Sequence, residues 1–97
     1  MTQKAAQDLK NIYSYIADDL REPSIAKKLT DKIRASVKNL AKFPLRHALV
    51  ADKDLAAQGI RKLIVHNYII FYIVSEKDKA VTVVRILYGR RNWIHLL

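Results

Sequence analysis

The feature that most restricts how this chain folds is the uninterrupted apolar run Tyr68–Val74. Read as a strand, with side chains alternating between faces, it sets Tyr68, Ile70, Tyr72 and Val74 on one side and Ile69, Phe71 and Ile73 on the other. A strand covered on a single face alternates apolar with polar residues, so this one needs a cover on both. The run is far too short to cross a bilayer as a helix. It belongs in the middle of a sheet with material packed above and below.

Two further β-rich runs flank it, Ile60–Val65 and Ala80–Tyr88. His66-Asn67 fits a tight turn before the central run, and the charged stretch Glu76-Lys77-Asp78-Lys79 fits the turn after it. The three therefore read as an antiparallel meander. Upstream the spacing changes to that of helices. Ala5, Leu9, Ile12, Tyr13, Ile16 and Leu20 recur every three or four residues, with Thr2 as a candidate N-cap. Ile25, Ala26, Leu29, Ile33, Val37 and Leu40 form a second stripe. Pro23 is tolerated in a first helical turn, and Pro44 disfavours helix in the residue before it, so the second helix is bounded near Pro23 and near Lys42–Phe43. The short connection makes the two helices an antiparallel hairpin. Leu45–Ala57 has no clean period and reads as a loop with one helical turn near Leu55, closed by Gly59. The expected fold is α+β, one domain over residues 1–97, with an N-terminal helical hairpin packed on a C-terminal antiparallel meander. The hairpin covers one face of the sheet. The other is covered by Leu45–Leu55 or the C-terminal tail, or it is a docking surface for a partner.

Composition narrows the function. The 97 residues carry 18 Lys plus Arg against 9 Asp plus Glu, a net charge of +9. A small basic domain meets nucleic acid, a ribosome, an anionic membrane or an acidic protein, or else its charge is solvated helix surface. No cysteine is present, which removes disulfides and thiolate metal sites. Met1–Lys10 lacks the apolar core of a signal peptide, so a cytoplasmic location is expected. His47, His66 and His95 are far apart and share no ligand spacing with a carboxylate, so no metal is expected. Gly59 and Gly89 are the only glycines, which excludes a phosphate-binding glycine loop, and none of the serines lies in a nucleophile motif. No cofactor is expected.

What remains is a set of cations on and after the sheet: Arg61 and Lys62 in the first strand, Arg85 in the third, and Arg90-Arg91 directly after it. Arg61 and Arg85 interrupt apolar strands, where an unpaired charge is costly to bury. Each either pairs with a carboxylate such as Asp8, Asp52 or Asp54, or snorkels to water, or joins a basic concave face that grips phosphate or an acidic surface.

The order and spacing of several segments resemble the RelE/ParE superfamily of type II toxin–antitoxin toxins, which includes the plasmid stabilisation proteins. Ala6-Gln7-Asp8-Leu9-Lys10-Asn11-Ile12-Tyr13-Ser14-Tyr15-Ile16 looks like the first helix of that family, and Phe43-Pro44 like the end of its second. Gly59-Ile60-Arg61-Lys62-Leu63 and Asn67–Val74 look like its first two core strands, and Val84–Trp93 like its last strand and basic tail. One departure is the start. Family members usually open with a short β-strand, whereas this chain starts essentially at the helix, so that either the start is truncated or the usual first strand is missing, and the remaining sheet then has an exposed edge or is completed by another chain.

The resemblance implies a growth-inhibiting toxin with a cognate acidic antitoxin, and one of two activities. ParE-like members poison DNA gyrase without being nucleases, and RelE-like members cleave mRNA on the ribosome. Laid on the nuclease pattern, Lys62 and Arg91 fall at basic site positions and His95 is the remaining proton carrier. Ile69 stands where a basic residue is usual, and Leu97 near an expected tyrosine. RNA cleavage needs a group to activate the 2′-hydroxyl and another to protonate the leaving oxygen, besides cations. ParE-like gyrase poisoning is therefore the leading expectation. Ribosome-dependent cleavage is the alternative, and a toxin-derived binding module without activity a further one. Arg61, Lys62, Arg85, Arg90 and Arg91 are the expected target-contacting residues.

Overall fold

A computed structural model spans the chain, and the structure is described for residues 1–45, 47–78, 80–90, 93 and 96–97. Helix α1 covers Gln3–Ser14 and runs on as a π-helical turn, Tyr15–Asp19. Helix α2 covers Pro23–Leu40 and the short α3 Lys53–Ala57; strands β1 (Arg61–Val65), β2 (Tyr68–Ser75) and β3 (Ala80–Tyr88) follow. The sheet is antiparallel with order β1-β2-β3, so β2 is central as its two apolar faces require.

Local chemistry sets the boundaries. The Thr2 hydroxyl accepts from the Ala5 N–H at 3.1 Å, capping α1, and donates to the Val84 carbonyl at 2.9 Å. The Thr2 N–H donates to the Val83 carbonyl at 2.9 Å, so the chain before α1 ties to the outer edge of β3 through this one residue. Pro23 sits in the first turn of α2. The α-helical pattern of α2 stops at Leu40, two or three residues short of the expected end, and gives way to turns before Pro44. Asp52 accepts from the Leu55 N–H at 3.0 Å and caps α3, and Gly59 takes the left-handed φ of 80° that turns the chain into β1.

Two cores result. Between the helices and the sheet, Ala5, Leu9, Ile12 and Ile16 meet Ala26, Ile33 and Leu40 over Val65, Ile70, Tyr72, Val83 and Ile86. On the opposite face Ile69, Phe71 and Leu87 lie under Val50, Leu55 and Ile60, with Trp93, Leu96 and Leu97 packed against them. The Phe71 and Trp93 rings are 4.9 Å apart. The second face of β2 is thus closed over Ile69 and Phe71 by the chain itself, by both the α3 region and the C-terminal tail, while Ile73 stays exposed. Three residues on the expected helical stripes are not in the core: Tyr13, Leu20 and Ile25 are 42%, 52% and 53% exposed.

Replacing Ile70, which is wholly buried, removes atoms that neighbours on both sides contact, while Ile64 on β1 is 62% exposed. Ile70→Ala should cost about 2–5 kcal/mol, and Ile64→Ala should fall within about 0.5 kcal/mol of wild type. Urea titration of both variants checks the difference.

Candidate functional site

The candidate cations originate in the sheet, and a β-bulge decides where the central one goes. Phe71 pairs with Arg85 and Tyr72 with Val83, which leaves Val84 as the extra residue on β3. The Arg85 side chain reaches α1. Its Nε donates to Asp8 Oδ2 at 2.7 Å and its Nη2 to Asp8 Oδ1 at 2.9 Å, a bidentate fork. Its Nη1 donates to the Leu96 carbonyl at 3.0 Å. Asp8 Oδ2 also accepts from the Ile86 N–H at 3.0 Å. The side chains of Arg85 and Asp8 are only 16% and 11% exposed, and the hydrogen bond donated to Asp8 raises the pKa of the guanidinium above its usual value. Of the carboxylates open to Arg85 in the sequence, Asp8 is the partner.

Arg61 is also engaged. Its Nη1 donates to the His47 carbonyl at 2.7 Å, and the neighbouring Tyr72 hydroxyl donates to the Pro44 carbonyl at 3.3 Å. Together they pin the segment after α2 against β1. Burial pushes the Tyr72 phenol above its ordinary pKa, with the Arg61 charge opposing. Lys62 shares a rung with Phe71 and Arg85 and is half-buried, and among the described residues no carboxylate bridges to it. Arg90 is exposed just past the end of β3. Arg91 and His95 lie outside the described residues. The sheet therefore separates the cations: Arg61 and Lys62 start β1 at one corner, and Arg90 follows β3 at the opposite one. Ile69 is buried in the second core and Leu97 packs against it.

A second region had no motif to announce it. Where the α1–α2 connection meets the β1–β2 turn, Tyr15, Tyr68 and Tyr88 line an open groove of about 520 Å³. The Tyr68 and Tyr88 rings are 5.7 Å apart and tilted by 58°. Burial, and then Tyr15 and Tyr88, raise the pKa of Tyr68. Two non-glycine residues with left-handed backbone, Arg21 at φ 55° and His66 at φ 52°, flank this end of the molecule. Only the tyrosines themselves hint at it in the sequence, and their convergence depends on the register of β2 with β3.

A family model described as the ParE toxin of the type II toxin–antitoxin system, parDE, matches residues 1–93. The chain belongs to that family. No curated protein matches it. As a ParE-family toxin it is the toxin component of a type II pair and has an antitoxin as its partner. No described helix of the toxin is long and apolar enough to cross a membrane. Among its described residues no group of three or more His, Cys, Asp or Glu side chains is placed to hold a metal ion.

Two measurements test the anchoring roles. Asp8→Ala leaves Arg85 and the Ile86 N–H without their acceptor and should cost about 3 kcal/mol or more, whereas Asp8→Leu/Arg85→Met should recover much of the loss. Denaturant midpoints of the three proteins decide it; equal destabilisation by single and double variants would remove the pair from its central position. Tyr72 gives a pH signature. Its folded pKa lies above the unfolded value of about 10, so the stability it contributes is intact below that pH and is lost as pH rises through the folded value. Alkaline melting curves should therefore fall less steeply for Tyr72→Phe than for wild type.

Proposed function

We propose that this ParE-family toxin arrests growth in the cytoplasm by poisoning DNA gyrase, and that it does not cut RNA. The observation that carries the reading is the state of the sheet face on which a nuclease of the wider superfamily would present its site. Here that face is an apolar core: Ile69 and Phe71 are buried beneath Trp93 and the tail, and Arg85 on the same rung is saturated by Asp8 and Leu96. General acid–base cleavage requires groups that reach the ribose and the leaving oxygen, and among the described residues the packed surface over Ile69 and Phe71 supplies no acid or base. Stabilising a gyrase–DNA complex needs only a binding surface. Among the described residues the cations open to it are Lys62 and Arg90, exposed beyond β3; Arg91, outside the described residues, is proposed beside them. An arginine fork suits either a phosphate or a carboxylate on such a target.

Purified toxin should inhibit supercoiling by gyrase and accumulate cleaved DNA, and should leave mRNA intact on translating ribosomes. Codon-phased cleavage in the ribosomal A site, abolished by Lys62→Ala or His95→Ala, would replace this reading with the endoribonuclease. The variant Arg90→Ala/Arg91→Ala should lose growth inhibition while melting within about 2 °C of wild type, as expected for surface substitutions.

A further inference from the structure

The open groove beside the β1–β2 turn is one of two hollows that share three tyrosines. Tyr15, Tyr68 and Tyr88 line the groove of about 520 Å³ and also a second hollow of about 390 Å³, with Asp8, Asn11 and Leu87. These rings are not core. Tyr15 is 51% and Tyr88 38% exposed, and the half-buried Tyr68 meets Tyr88 in a tilted ring contact that braces it. Tyr15 also opens the π turn Tyr15–Asp19, a kind of helix irregularity that recurs at functional sites. Lys28 and Lys32, one helical turn apart on α2, line the groove with His66. Neither lysine is in a salt bridge, and no carboxylate lines this groove among the described residues. Asp8, in the second hollow, is spent on Arg85 and the Ile86 N–H. His66 holds a φ of 52° at the first position of a two-residue hairpin turn, where glycine is preferred, so its imidazole is kept in the groove at a conformational cost.

We propose that the two hollows form a binding site for single-stranded DNA, with unpaired bases against Tyr15 and Tyr88 and the sugar–phosphate backbone along Lys28, Lys32 and His66. Sequence-tolerant recognition of an unpaired strand needs a cationic track for phosphates and aromatic faces for bases, and this end of the molecule has both. Duplex DNA meets only half of that requirement, because its bases are stacked on one another and turn no face to a tyrosine. A second copy of the chain would bring its own net +9 to a lysine-rimmed surface. The floor favours DNA over RNA. Ile16, Leu20, Ile25 and Leu29 are aliphatic, and a thymine methyl seats on such a surface where uracil leaves it uncovered. The inference stands apart from the gyrase reading, because it concerns what the toxin binds by itself.

The probe is a fluorescein-labelled oligothymidine of about ten nucleotides, titrated into the full chain by fluorescence anisotropy. It should bind, and Tyr15→Leu/Tyr88→Leu should weaken it by about tenfold or more while leaving affinity for the same strand in duplex form unchanged. Tyr15→Leu alone, at the more exposed ring, should lose about fivefold with an unaltered thermal melt, which keeps the test valid if the loss of Tyr88 loosens the fold. Lys28→Gln/Lys32→Gln should reduce the slope of log affinity against log salt by about 1.4, the value for two phosphate contacts to a single strand. Oligodeoxyuridine, which differs only by the methyl groups, should bind about fourfold more weakly for one seated base. Full binding by either double variant overturns the proposal, and so does an affinity that Arg90→Ala/Arg91→Ala abolishes in their place. Oligouridylate RNA that binds as tightly as oligothymidine overturns the choice of DNA. Gyrase inhibition without tyrosine-dependent strand binding sinks this site alone, and strand binding without gyrase inhibition sinks the gyrase reading alone.

Discussion

The fork between Asp8 and Arg85 joins helix α1, strand β3 and the tail, which besides it are held by hydrocarbon contact and by the hydrogen bonds of Thr2. One carboxylate takes three N–H donors, two from the guanidinium and one from the backbone of Ile86, while the third guanidinium contact goes to Leu96. Helix α1, the outer edge of β3 and the tail thus meet at one pair of side chains. Withdrawing two charges from water is costly, and it is offset here because both Asp8 oxygens and each of the three guanidinium nitrogens are hydrogen-bonded. The same arrangement answers the edge problem. An outer strand exposes a row of backbone donors and acceptors, and on β3 the Val83, Val84 and Ile86 groups are taken by Thr2 and Asp8.

That fork has a functional consequence. An arginine in the last strand of a basic protein invites a role in gripping phosphate, yet this one is spent inside the fold. Arg61 is spent in the same way on the His47 carbonyl. The formal charge of +9 therefore overstates what the sheet can offer a polyanion. Among the described residues, cations outside any salt bridge include Lys62 on β1, Lys28 and Lys32 on α2, and Arg90 after β3.

The meander, the helical hairpin and the need for a second cover over β2 were legible in the sequence because each rests on local periodicity. So was Asp8 as one of three acceptors for Arg85, since a buried guanidinium demands a carboxylate. Which of the three it would be depended on the β3 bulge, and a single extra residue at Val84 leaves no mark in composition or period. The cations of β1 and those after β3 read as one cluster because strand order brings them into one sheet; register then puts them at opposite corners. Leu20 and Ile25 were misplaced for another reason. A stripe of apolar residues tells that a helix has a dry side, but not that the sheet beneath extends far enough to cover it.

That last shortfall connects the fold to the strain at the hairpin end. Leu20, directly after the π turn, and Ile25, in the first turn of α2, lie beside the β1–β2 turn residues His66 and Asn67 and remain an exposed overhang rather than core. A chain optimised only for stability would shorten the hairpin or place polar residues on the overhang, and would put glycine at positions 21 and 66. It does neither. Elsewhere the described backbone keeps left-handed geometry for Gly59, and among the described residues no buried side-chain polar atom lacks a partner. Local rules are thus broken together in one place, the groove lined by Lys28 and Lys32. Such a coincidence of exposed apolar surface, backbone cost and unopposed charge is what a surface shaped for a second molecule requires, because the missing contacts arrive with the partner.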